Sequence, residues 1–154
     1  MSDIKKTFWE ALDSSPNVMI GLSDDNNHHE PMRAQLDKDA NGEFWFFTSK
    51  TNRIAKCGKA TAQFSSKGHN VFACIRGHLI EETRQDVLDA HWSRQAESWF
   101  EKGKDDPELI MLRFELDDAE IWHVSPDLSG LLKLAVGKNV EPEEMGERET
   151  IRFR

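Results

Sequence analysis

Pro31-Met32-Arg33-Ala34-Gln35-Leu36, then Asn41-Gly42, then Glu43-Phe44-Trp45-Phe46-Phe47-Thr48-Ser49-Lys50-Thr51-Asn52-Arg53 is the stretch on which the fold turns. Met32, Ala34 and Leu36 alternate with Arg33, Gln35 and Asp37, the period of two that marks a half-buried strand. Asn-Gly between two apolar runs predicts a hairpin, because both residues tolerate positive φ. The run after it carries aromatics at successive positions, hence on both faces, which predicts a central strand. Asn52 is placed to cap a short helix from Arg53 to about Gly58.

Working upstream, Ile4, Phe8 and Leu12 form one stripe of a helix that Ser14-Ser15-Pro16 stops, and Val18, Ile20 and Leu22 alternate as a strand. Downstream come a strand over Thr61–Ser66, a Lys67-Gly68-His69-Asn70 turn and a long strand from Val71 to Glu81. Gly77 lies within it, where a missing side chain marks a bulge or a barrel corner. Residues 84 to 101 change period and read as one helix with Leu88, Trp92, Ala96 and Trp99/Phe100 along its apolar stripe. Trp92 and Trp99 are read as core or dimer packing residues, with stacking on a ligand as the alternative. Gly103-Lys104-Asp105-Asp106-Pro107 is a helix C-cap and turn, or a loop near a ligand mouth. Ile110, Leu112, Phe114 and Leu116 then alternate in a strand that pauses at Asp118, and Glu120–Val124 is its expected partner strand. One domain over residues 1–137 and an acidic tail over 138–154, either mobile or pairing as an edge strand, complete the reading. Six or seven mostly antiparallel strands with turns too short for repeated crossover helices make an α+β, mainly β domain on a closed or nearly closed sheet.

The 154 residues suffice for one domain that buries roughly 70% of its unfolded surface. With 28 acidic residues against 20 Lys+Arg the net charge is −8, which argues against general binding of nucleic acid or an acidic membrane surface. Met1-Ser2-Asp3-Ile4-Lys5-Lys6 has no apolar stretch behind its charges, so neither a signal peptide nor a lipidation site is expected. No apolar run approaches the ~18 residues of a membrane span. Cys57 and Cys74 have no partner at metal-ligand spacing and read as free thiols in a cytoplasmic protein.

There is no G-x-G-x-x-G, Walker loop, G-x-S-x-G or C-x-x-C. His28-His29-Glu30 invites a metal reading, yet neighbours in a strand point to opposite faces, so a solvated turn is preferred. Cys57 as a nucleophile would need a nearby base, and an inert half-buried thiol is the simpler reading. The paired strands leading to a turn rich in cations and hydroxyls have more to offer. Strand amides and Gln35 can hydrogen-bond a polar ring edge, aromatic and aliphatic side chains can cover a ring face, and Lys50, Arg53 and a helix N-terminus can hold a phosphate. The same residues would also make an aromatic core strand followed by a solvated basic turn.

Pro31-Met32, Trp45-Phe46-Phe47-Thr48-Ser49-Lys50, the segment with Trp92 and Trp99-Phe100, Gly103–Pro107 with Leu112-Arg113-Phe114, and Ala119-Glu120-Ile121-Trp122 together resemble the pyridoxamine 5′-phosphate oxidase-like, FMN-binding split-barrel superfamily, in its bacterial general stress protein branch. The resemblance runs from the first helix to about Val136. It implies a six-stranded antiparallel split β-barrel with flanking helices, a homodimer, and one FMN in each of two grooves between the subunits. It makes Arg33, Gln35, Phe47, Thr48, Ser49, Lys50 and Asn52 the cofactor candidates, with Arg53 a reserve phosphate ligand. Many relatives read Arg-Pro-Met where this chain reads Glu30-Pro31-Met32, which removes a cation, leaves Arg33 as its substitute and admits FAD as the alternative. The salvage oxidase's C-terminal Arg and His motif has no match here. A flavin-dependent oxidoreductase on a small redox substrate, a non-catalytic flavin-binding stress module and a cofactor-free barrel with another ligand such as haem are the competing functions. With no Tyr and no evident general acid or base, redox chemistry would be the flavin's own.

Overall fold

A computed structural model describes residues 3–124, 137 and 146–154. Helix α1 spans Asp3–Ser14 and buries Ile4, Phe8, Trp9 and Leu12. Trp9 stands edge-on to Phe44 and Phe153, with ring centroids 6.3 and 6.0 Å away, and Phe8 stands edge-on to Phe64 at 6.2 Å. The helix thus plugs one end of an aromatic core, an arrangement in which ring edges meet ring faces.

Among the described residues seven antiparallel strands follow: β1 Asn17–Leu22, β2 Glu30–Arg33, β3 Glu43–Ser49, β4 Gly58–Ser65, β5 Val71–Glu81, β6 Leu109–Val124 and β7 Gly146–Arg152. Six lie in the order β2-β1-β4-β5-β6-β3, with β7 on β6 beside them. β2 and β3 are therefore the two ends of the sheet, and they meet at a single backbone pair. Gln35 N donates to Trp45 O at 2.7 Å and Trp45 N donates to Gln35 O at 2.9 Å. That pair closes the sheet into a barrel and leaves a split on either side of it.

The expected Asn-Gly hairpin is not what joins these strands. Neither Asn41 nor Gly42 has positive φ; the tight turn is Asp37–Ala40, and the Gly42 carbonyl accepts Leu116 N from β6. Nor is β3 central. Phe44, Phe46 and Thr48 face the barrel interior, while Trp45 and Phe47 face out and are buried there by the segment after β5. The expected single helix over 84–101 is two helices, α2 Gln85–His91 and α3 Arg94–Trp99. Trp92 is extended, and the Ser93 hydroxyl accepts Ala96 N at 3.2 Å, so a cap starts a second helix where the apolar period had run on. Trp92 packs edge-on to Phe47 at 5.3 Å, and Trp99 is 56% exposed, outside the core of this chain. The expected short helix after Asn52 is instead a pair of turns, with Ala55 N donating to Asn52 O and Cys57 N to Ile54 O.

The expected pause at Asp118 is a bulge inside one continuous strand. Arg76 pairs with Asp118 but Gly77 pairs with Leu116, leaving Asp117 as the extra residue. At Gly77 a Cβ would stand 2.2 Å from the Glu115 carbonyl oxygen, so the strands close up only over a glycine. β3 and β7 share one edge of β6, β3 along Leu109–Glu115 and β7 along Asp118–Val124. The domain boundary expected after residue 137 lies outside the described residues.

A buried carboxylate fastens the outer layer. Glu82 Oε1 accepts from Trp45 Nε1 at 3.0 Å, Arg84 Nη2 at 2.7 Å and Arg113 Nη1 at 3.0 Å, with its side chain only 1% exposed. The hydrogen bonds from Arg84 are the main force holding the Glu82 carboxyl far below the usual carboxylate range, against the opposing effect of burial. Arg113 also meets Glu43 and Glu115, so the polar depression of about 560 Å³ bordered by these groups holds charges that are already paired.

Two outcomes test this framework. Gly77→Ala should destabilise the fold by about 2 kcal/mol or more in denaturant unfolding, since backbone rather than a movable side chain opposes the new methyl. Glu82→Gln should cost about 1–2 kcal/mol at neutral pH: it leaves the half-buried Arg113 guanidinium without its anion and weakens the acceptor of the Trp45 N–H, while the exposed Arg84 turns to water. Because the folded-state pKa is depressed, this stabilisation is complete above the unfolded carboxylate value of 4.5 and is lost as pH falls below it. The gap between wild type and variant in unfolding free energy should therefore narrow in acid.

Candidate functional site

The split between β2 and β3 is bounded by backbone at one end and by side chains at the other. At the far end from the Gln35–Trp45 pair, Glu30 at the start of β2 faces the turn that follows β3. Its Oε1 accepts from Asn52 Nδ2, and its Oε2 lies 3.1 Å from Arg53 Nε. Arg53 Nη1 also donates to the His28 carbonyl at 3.0 Å. The turn keeps its shape because Ile54 is fully buried beneath it and Asn52 Oδ1 accepts Ile54 N at 2.9 Å.

Between β3 and this turn, hydroxyls and a cation are presented outward. Ser49 Oγ and Thr51 Oγ1 are 3.0 Å apart, and Ser49 Oγ accepts Thr51 N at 3.3 Å. Lys50 is exposed, and its backbone N donates to Glu108 O at 2.8 Å, which sets the loop after Gly103 beside the turn. That loop is shaped by Gly103 at φ 63° and by Asp106, whose carboxyl is lowered chiefly by the Glu108 N–H and then by the Lys102 N–H.

The expected residues thus divide into groups. Ser49, Lys50, Asn52 and Arg53 are brought together at one mouth of the split. Gln35 is at the closing pair, and Arg33 is exposed on β2 opposite Asn17. The Phe47 side chain is 5% exposed beneath Trp92, and Thr48 is 9% exposed and faces inward, so neither offers an open surface within one chain. The sequence reading missed Glu30 and Thr51 as members of this cluster. Glu30 was visible only as an acid where a cation was expected; Thr51 carried no signal of its own.

The His28-His29-Glu30 run and Cys57 have neighbours of their own. His29 Nδ1 pairs with Gln63 Oε1 at 2.8 Å and its ring sits against Gly21, while Glu30 turns to Asn52 and Arg53; the two side chains do not converge on a metal. Burial first, and the charge of Glu81 second, push the Cys57 thiol up, away from the thiolate a nucleophile needs.

Beside β2, on the outer face of the sheet, lies an apolar groove of about 520 Å³ lined by Met19, Pro31, Gln63, Phe72, Cys74 and Trp122. The strand registers put Met19 between Pro31 and Gln63, and Gln63 beside Cys74, so these residues form cross-strand rows on one face. Met19 is 42% exposed. The groove and the cationic mouth therefore lie on either side of the short strand β2. Among the described residues no helix is long and apolar enough to cross a membrane.

A comparison with curated proteins finds no match. Among solved structures, a general stress FMN/FAD binding protein from Xanthomonas citri is 39% identical, with 83% of this chain and 94% of that one covered at a TM-score of 0.75. A general stress family protein from Xanthomonas campestris is 42% identical over the same shares, at 0.73. General stress protein 26 from Jannaschia is 29% identical, with 99% of each chain covered at 0.82. The family model described as pyridoxamine 5′-phosphate oxidase like matches residues 3–141. The seven-stranded sheet closed at one backbone pair, with the match over nearly the whole described barrel, gives the conclusion that this chain belongs to the pyridoxamine 5′-phosphate oxidase-like family.

Proposed function

We propose that the protein is a flavin-binding protein of the general-stress type that holds FMN, with FAD as the other admissible nucleotide, at the split between β2 and β3. The observation that carries this reading is that the turn leaving β3 carries an exposed Lys50, the paired hydroxyls of Ser49 and Thr51, and Arg53 facing Glu30 across the split. These groups suit a phosphate: Lys50 as a point charge, Ser49 and Thr51 as hydroxyl donors, and Arg53 as a second cation once it turns from Glu30. Gln35 and the exposed edges of β2 would meet the polar rim of the ring. The 39% identity to a protein described as FMN/FAD binding supports the same ligand class.

When bound, the flavin supplies hydride or electron transfer; the chain binds, orients and shields it. The oxidoreductase role on a small redox substrate belongs to this proposal, with a non-catalytic flavin-binding stress module as its alternative. We further propose a homodimer in which the partner covers the groove around Met19. A second subunit seated there would stand against β2, which places the flavin at the subunit boundary. Two free thiols suit a cytoplasmic setting.

The purified protein should show visible flavin absorption that is released on denaturation; a colourless protein unable to take up FMN at micromolar concentration overturns the reading. Bleaching of the bound flavin by NAD(P)H separates oxidoreductase from carrier. Lys50→Ala should weaken FMN binding by about 1.5–3 kcal/mol, measured by flavin fluorescence titration, while an unchanged affinity removes Lys50 from the site. Met19→Lys should convert the dimer to monomer in sedimentation equilibrium by placing a charge in the apolar groove.

A further inference from the structure

Glu30 spends both its carboxylate oxygens on the groups best suited to a phosphate. Asn52 donates to Oε1, and the Arg53 guanidinium sits 3.1 Å from Oε2 with a second nitrogen on the His28 carbonyl. The Glu30 side chain is 20% exposed against 42% for Arg53, so the acid lies deeper in the split and the cation is held back toward it. Any phosphate that reaches Arg53 approaches this carboxylate too. The penalty depends on the charge the phosphate brings: a terminal phosphomonoester carries about −1.5 to −2 at neutral pH, with a second pKa near 6. A dinucleotide's pyrophosphate spreads its two charges over two phosphorus atoms, so the one phosphate beside Arg53 brings a single charge, and a flavin without phosphate brings none.

We infer that Glu30 sets the nucleotide selectivity of the split: it withholds Arg53 and opposes a terminal phosphate dianion, so FMN loses most of the advantage that its phosphate would otherwise give over riboflavin, and FAD is penalised less. This rests on the flavin reading above and assigns the discrimination to one side chain. Glu30 is a specificity-determining residue acting through Arg53 and Asn52, with no part in the redox step.

The test is titration of the purified protein with riboflavin, FMN and FAD, followed by flavin fluorescence. In the wild type FMN should bind no more than about tenfold more tightly than riboflavin. Glu30→Gln, which keeps the size and the amide contact to Asn52 but removes the charge, should raise FMN affinity by about tenfold or more, raise FAD less and leave riboflavin unchanged. Adding Arg53→Ala to Glu30→Gln should erase the gain. An FMN-to-riboflavin ratio above about tenfold in the wild type overturns the inference, and that measurement needs no variant to fold. So does a ratio that Glu30→Gln leaves unchanged. If neither protein binds any of the three flavins, the flavin reading itself falls and takes this inference with it.

Discussion

Trp45 is the residue through which the parts of this molecule are tied. Its backbone makes the one pair that joins the two ends of the sheet, its indole N–H reaches the buried Glu82, and its ring lies 4.7 Å from the His91 ring. His91 in turn meets Asp37 at 2.9 Å, in the loop that leads from the closing pair back to β3. Barrel closure, the charged layer and the placement of α2 are thus coupled at a single residue. This is why the split stays open as a split: β2 is held to β3 at one backbone point and by Glu30 at the other end, with no ladder between.

The strands and the first helix were legible because each is written in one period. Ile4, Phe8 and Leu12 at helical spacing and Val18, Ile20 and Leu22 at strand spacing lead to buried positions. Gly77 was legible as a bulge because a missing Cβ has few other uses within a strand. Closure was harder. Asn41-Gly42 has the composition of a tight hairpin, but the Gly42 carbonyl is more stably used by β6, and a long-range hydrogen bond overrode a local preference. The aromatics on both faces of β3 report burial correctly and position wrongly, since two short helices cover an outer face as well as a neighbouring strand would.

At the site, residue types were legible and pair relations were not. Lys50, Ser49, Asn52 and Arg53 lie together because they are close in the chain, so the sequence nearly places them. Glu30 belongs with them only because β2 folds back beside the turn. A one-dimensional reading registers its negative charge as a missing cation; the structure pairs it with Arg53 and Asn52. Phe47 and Thr48 precede them in the strand, where Phe47 packs under Trp92 and strand parity turns Thr48 inward.

The arrangement of β3 and β7 along one side of β6 has a bearing on how the protein behaves in a crowded solution. A 16-residue strand offers a long row of amide and carbonyl groups, and unpaired rows of that kind template sheet-to-sheet aggregation. Here two segments far apart in the chain divide that row between them, with Phe153 N on the Asp117 carbonyl and Arg154 reaching the Gly42 carbonyl where they meet. The new outer margin belongs to β7, whose Glu147, Arg148, Glu149 and Arg152 are exposed and charged. A strand so studded with alternating charge makes a poor landing place for another chain, so the barrel covers a long strand border with a charged one.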